Sequence, residues 1–284
     1  MTSPVTPPAA TSSAVTPSPD TSSVPPSLRQ AALDALAEPD PCKKIAAVDR
    51  MVATLPLCAD LVLHATQPLP GRPQRPQLVD PREVSVRSTQ TQQGKAALLH
   101  AIAHIEFNAI NLALDIIWRF PGMPDDFYYD WLQVAREEAY HFSLVRGHLA
   151  ASGYQYGDFA AHNGLWDMAE KTANDILARL ALVPRTLEAR GLDVSPAIQN
   201  KLRAAKDNRG VEILDIILRD EIGHVKTGNR WYLYCCEQQN QDPVAAYATL
   251  IDIYRVSKPR GPFNVQARMA AGFTQTDIDW LNSL

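Results

Sequence analysis

The sequence predicts an all-α protein: a bundle of four long helices with helical extensions at both ends. Three observations predict it. From residue 29 onward, apolar residues recur three and four positions apart. The alternating Val, Ile and Thr runs of half-buried strands are missing. Start and stop signals bracket four long periodic segments.

The elements follow in order. Residues 1–28, "MTSPVTPPAATSSAVTPSPDTSSVPPSL", hold almost only Pro, Ser, Thr, Ala and Val. Such a segment buries too little apolar surface to offset its ordering entropy and is expected to be a disordered tail. It has neither the basic start and apolar stretch of a signal peptide nor the arginines of a transit peptide. Residues 29–93 form an N-terminal section that packs on the bundle: a helical region over about 29–65, then "PLPGRPQRPQLVDPREV" as an extended connector. Arg72, Arg75, Arg82 and Arg87 fit either a polyanion patch or a solvated connector, and the Pro-rich context favours the connector.

The bundle occupies 94–239. Its first helix, 94–119, stops at "FPGMP". The second, capped by Asp125 or Asp126, runs to Gly153. The third spans 164–190 and ends at Gly191, after which Ser195 and Pro196 start a new helix. The fourth, 209–239, follows a break near "DNRG". Residues 240–284 are a C-terminal helical extension, opened by Asp242-Pro243 and closed by a short helix that "TQTD" can cap.

Composition narrows the function classes. The chain has 284 residues and a net charge of −4, which gives no general attraction to nucleic acid or anionic membranes. No segment approaches the roughly 20 uninterrupted apolar residues of a membrane span. Cys42, Cys58, Cys235 and Cys236 form no CxxC pair and are read as free thiols of a reducing cytoplasm.

Polar groups on apolar faces carry the chemistry. At about 100° per residue, His100, His104, Asn108, Asn111 and Asp115 form one polar stripe on the first long helix. Glu106 lies instead in the middle of the face made by Leu99, Ile102, Ala103, Ile110, Ala113 and Ile117. A buried unpaired carboxylate costs several kcal/mol, so something cationic should meet it. The second helix places Glu138 and His141 among Trp131, Val134, Phe142, Val145 and Leu149. The fourth places Glu221 and His224 among Leu214, Ile217, Val225 and Tyr232. Both pairs are Glu-x-x-His, and i,i+3 spacing points both side chains at one small object. With 10 Glu and 7 His in the chain, chance supplies about 0.25 such motifs; there are two, each on an apolar face. Glu106 precedes Glu138 by 32 residues, and Glu188, if the third helix supplies it, precedes Glu221 by 33. The rival Glu170 projects at a similar angle but roughly 27 Å further along the helix.

Four carboxylates and two imidazoles converging in a bundle suit two metal ions, with iron favoured and manganese allowed. "HIEFNAI", "REEAYH", "LVPRTLEARG" and "RDEIGH" resemble the ferritin-like di-iron carboxylate superfamily. "HIEFNAINLALD", "GDFAAHNGLWDMAE", "RDEIGHVKTGNRWY" and "RGPFN" resemble more narrowly a family of uncharacterised bacterial ferritin-like proteins, over nearly everything after residue 40. The resemblance implies a ferritin-like four-helix bundle with a long crossover between the second and third helices. It implies Glu106, Glu138, His141, Glu188, Glu221 and His224 as ligands. Glu137 and Asp220, the acids before each motif, would orient the histidines. His104 is a further candidate for the surrounding layer, and Tyr140 and Tyr232 are candidates for a radical or gating role beside packing.

The superfamily includes a tRNA-hydroxylating oxygenase, rubrerythrins and fatty-acid oxidoreductases. The implied activity is therefore an O2-activating hydroxylase or oxidase acting on a small molecule, with an external electron donor and a dimer as one expected assembly. A tRNA substrate stays open on the same ground. Ferroxidase, iron storage or peroxide reduction is the alternative. The residues flanking the bundle favour a shaped pocket over a storage cage, and rubredoxin-type CxxC pairs are missing.

Overall fold

A computed structural model describes residues 27–85 and 87–284. Among these the chain is all-helical, with one isolated bridge between Leu78 and Ala161 and no strand. Residues 1–26, most of the expected tail, lie outside the described range. Its last two residues are part of the fold: Ser27 Oγ accepts from Gln30 N and caps α1 (Leu28–Ala37), and Leu28 is fully buried.

The N-terminal section seals the end of a longer helix. Arg29, also fully buried, donates to the carbonyls of Ile117 and Trp118 at the end of α3 (Gln92–Arg119) and to Cys58, Ala59 and Leu61. Helix C-termini leave carbonyls without intrahelical partners, and one guanidinium supplies the donors. The second helix, α2 (Pro41–Arg50), starts on an Asp40 cap and ends well short of the expected residue 65. Pro56 contributes no N–H, and the carbonyls around it are taken by Leu28 N and Arg29. The connector beyond it crosses α1, where Gly71 N donates to Leu36 O at 2.9 Å. A Cβ at Gly71 would lie 2.0 Å from Ala37 O, so only glycine fits the crossing.

Two long helices follow. Thr91 caps α3. In α4 (Asp125–Ala151) the expected side-chain cap is absent: Pro124 holds the cap position, and Asp125 and Asp126 sit in the first turn, where acids favour the helix dipole. By length and composition α3 meets the test for a membrane span, yet 78% of its apolar window is buried within the fold. The expected polar stripe on α3 is buried too. Asp115, fully buried, pairs with Arg179 and with Arg119 at 2.6 Å, and Lys44 reaches Asn111 at 2.6 Å. Beside α4, α3 packs against α1 and α5, with Lys44 of α2 reaching it.

The expected third helix is four pieces. α5 (Gly164–Lys171) ends at Thr172, and Asp175 caps α6 (Ile176–Leu182). A π-helical turn follows at Val183–Glu188, then α7 (Ala189–Ala204) runs straight through Gly191 and Ser195. Pro184 explains the π turn, because a residue without N–H shifts the ladder by one register. Pro196 does not start a helix; it sits inside α7. The carbonyl it leaves unpaired, Leu192 O, accepts instead from Asn264 Nδ2 at 3.2 Å. Tertiary contact thus overrides both the Gly191 stop and the Ser195-Pro196 start.

The last long helix, α8 (Asn208–Gln238), packs against α4 on one side and against α6, the π turn and α7 on the other. Three short helices close the chain: α9 (Pro243–Ile253) on its Asp242 cap, α10 (Val265–Ala270) and α11 (Gln275–Asn282) with the Thr274/Asp277 capping box. They clamp the π turn. Arg185 pairs with Asp277, donates to Asn229 at 2.6 Å and stacks on Tyr232, Tyr247 and Phe273. Thr186 Oγ1 bonds Ala181 O and Tyr247 Oη. Gly228 lets α8 approach: a Cβ there would lie 2.4 Å from Pro184 Cβ. Gly228→Ala is expected to lower stability by about 1–3 kcal/mol through overpacking, measurable as a lower urea midpoint. One contiguous apolar core runs from Leu28 to Leu281.

Candidate metal centre

Four segments converge inside the bundle: Glu106 from α3, Glu138 and His141 from α4, Glu188 from the last position of the π turn, and Glu221 and His224 from α8. Glu106, Glu138, His141 and His224 are 3%, 1%, 0% and 1% exposed. One ligating atom each of Glu106, Glu138, His141 and Glu221 lies within 4.8 Å of the others. His224 Nδ1 stands 2.9 Å from Glu138 and 3.6 Å from Glu221, and His141 Nδ1 stands 3.3 Å from Glu106 and 3.6 Å from Glu138. Glu138 therefore lies between the two imidazoles.

These atoms are close without being bonded. Glu106 Oε2, both oxygens of Glu138, His141 Nδ1, Glu188 Oε2, Glu221 Oε2 and His224 Nδ1 are all buried and without a hydrogen-bond partner. Buried polar atoms are nearly always paired, so each orphan needs a reason. Here seven orphans sit on six residues in one place.

The acids preceding the motifs cross over. His141 Nε2 donates to Asp220 on α8 at 3.1 Å, and His224 Nε2 donates to Glu137 on α4 at 2.8 Å. Each motif's neighbouring acid thus steers the other motif's histidine. With Nε2–H engaged, Nδ1 is the ligating atom that faces the cluster. Asp220 is in turn held by Arg219 at 2.8 Å, and Glu137 by Gln133 at 2.7 Å.

Without metal the cluster stores protons. Burial pushes the Glu106 carboxyl up to about 8. Burial and the neighbouring Glu221 and Glu138 push Glu188 well above the carboxylate range. For the imidazoles burial acts downward but is outweighed by the surrounding acids: His141 rises to about 11, and His224 rises well above its ordinary range. Glu138 is held low by the two histidines against the opposing effect of burial. A cation needs deprotonated oxygens and Nδ1 atoms, so it must displace these protons, and raising pH favours it. Metal affinity is expected to climb by at least about one decade per pH unit between pH 6 and 8. Calorimetry in buffers of different ionisation enthalpy checks this; a heat independent of buffer would show that no proton leaves.

Other sequence candidates lie elsewhere. Glu170 is exposed and accepts from Trp166 Nε1 at 2.7 Å, away from the cluster. His104 bonds Tyr156 Oη and His162 O on the opposite side of α3 and touches none of the six, which removes it from the surrounding layer. Tyr140 is 51% exposed with its ring beside His141. Tyr232 is buried, and its hydroxyl is spent on Pro243 O at 2.6 Å. Arg185 and its clamp were not foreseen; the sequence signal was Pro184, which marks the disturbed ladder.

The fold and cluster define an all-α protein whose buried Glu/His group can hold metal. The chain belongs to the family described as "Protein of unknown function (DUF455)", which it matches over residues 37–279. It is 54% identical over 216 residues to an uncharacterised protein of Haemophilus influenzae, covering 74% of this chain and 75% of that protein. No solved structure matches.

Proposed function

We propose that the chain is a ferritin-like protein with a dinuclear metal centre, an oxidoreductase that activates O2 against a small-molecule substrate. The convergence of seven unpartnered buried ligand atoms on Glu106, Glu138, His141, Glu188, Glu221 and His224 supports the reading. The donor set fits: carboxylate oxygen with imidazole nitrogen suits iron or manganese, and cations remove the burial cost of the acids. Glu106, Glu138, His141, Glu188, Glu221 and His224 would hold the metal ions. Metal ions held there would supply the electrons that O2 chemistry requires.

The chain's own residues do the rest. Asp220 and Glu137 fix both imidazole tautomers. The walls of α3, α4 and α8 exclude water. An external donor returns the electrons.

The test is metal analysis of protein produced with added iron and manganese, with O2 uptake measured after reduction. Two ions per chain and O2 uptake accelerated by an added substrate support the reading. Metal absent under both supplements sinks it, and a native mass near 24 subunits would replace oxidoreductase with iron storage.

A further inference from the structure

A small cavity of about 40 Å³ lies against α3, walled by Arg72, Pro76, Leu78, Phe107, Asn111 and Tyr156 among others. Asn111 projects about 140° around the helix from Glu106, so the width of α3 separates the cavity from the Glu/His cluster. Among the described residues no carboxylate lines it.

Two wall residues have N–H groups with nothing to bond. Asn111 is fully buried. Its Oδ1 accepts from the buried Lys44 Nζ at 2.6 Å, while its Nδ2 has no partner. The Lys44 bond fixes the amide: oxygen toward the ammonium, NH2 away from it. A buried amide N–H without an acceptor is a standing cost that a ligand atom can remove. Arg72 is half-buried and makes no hydrogen bond or ion pair among the described residues. Its nearest acids, Glu170 and Asp167, are exposed on α5 and outside the wall. Asn108 Nδ2 donates to His104 O at 2.9 Å, and His104 and Tyr156 are paired with one another. His104 Nε2–H donates to His162 O at 3.0 Å, and Tyr156 gives its proton to His104 Nδ1 at 2.9 Å. Burial keeps His104 neutral, at about 4. What the cavity offers a ligand is therefore the positive charge of Arg72 and the Asn111 N–H groups, with the Asn108 Oδ1 as an acceptor beside them.

We propose that this cavity binds the carboxylate head of a small ligand, with the Arg72 guanidinium as its counter-charge and the Asn111 NH2 as a second donor. Size and shape choose the group. The space holds roughly three water-sized atoms, which is one carboxylate. A guanidinium presents paired donors that match a planar CO2 group. The site makes no use of the metal cluster and stands whether or not the metal reading does.

Thermal unfolding of the full chain in sodium acetate, chloride or phosphate at equal ionic strength tests it. At ten times its Kd, acetate is expected to raise the midpoint by roughly 3 °C, with chloride inert and phosphate weaker. Arg72→Gln, which leaves the Glu/His cluster unaltered, is expected to remove the shift, so acetate taken by the cluster is subtracted. Broadening of the ¹³C-acetate resonance by wild-type protein, and its reversal in Arg72→Gln, provides a measurement independent of stability. Acetate no better than chloride, as a cavity holding only water would give, overturns the proposal. So does phosphate equal to acetate, or an Arg72→Gln variant that keeps the shift.

Discussion

Glu138→Ala is expected to reduce bound metal to background, an affinity loss of at least about 100-fold. Residues that merely orient ligands typically account for 10–100-fold, and Glu138 does more. It lies 3.6 Å from His141 and 2.9 Å from His224, with both oxygens unpartnered, so its loss takes two ligand atoms from between the two imidazoles. Folding of the metal-free variant should suffer less than removal of a buried charge implies. The proton on each imidazole is held there by the surrounding acids, Glu138 among them. Once it is gone, burial favours the neutral rings, which can shed their protons. Metal per chain and melts with and without chelator check both halves. Wild-type metal content in Glu138→Ala would remove this residue from the site.

Asp277→Ala should be the most destabilising single change, by about 3–5 kcal/mol, because it leaves Arg185 as an uncompensated buried charge. That corresponds to a midpoint lowered by on the order of 10 °C. Asp277 lies on α11, far along the chain from the ligands, yet it grips the π turn three residues before Glu188. The variant is therefore expected to lose about half of its metal as well. Arg185→Met combined with Asp277→Leu replaces the ion pair with apolar volume and should recover much of the stability. If Asp277→Ala unfolds more easily but keeps full metal, the C-terminal extension supports the fold without positioning Glu188.

Local rules carried much of this protein. The starts of α9 and α11 were legible because Asp242 and Thr274 satisfy nearby N–H groups within three residues, whereas the Asp207 cap of α8 reads in sequence only as a break. Glu106, Glu138, His141, Glu221 and His224 were legible because helical phase alone puts them on apolar faces. Helix interruptions were harder. Pro184 and Pro196 look alike in sequence, yet one sits in a π turn and the other is absorbed in α7, where the distant Asn264 takes the carbonyl it abandons.

The cluster shows the same division. Spacing determined which side chains share a helix face, since that depends only on the 3.6-residue period. Tertiary structure decided that Asp220 serves His141 and Glu137 serves His224, which follows from how α4 lies against α8. It also decided that His104 faces away and that Glu188, not Glu170, joins the group. By itself the sequence determined an all-α chain and most of the candidate metal face. The partners of buried charges such as Arg29, Lys44 and Arg185 were set only when distant segments packed, because no local rule says which remote carbonyl or carboxylate will meet a buried cation.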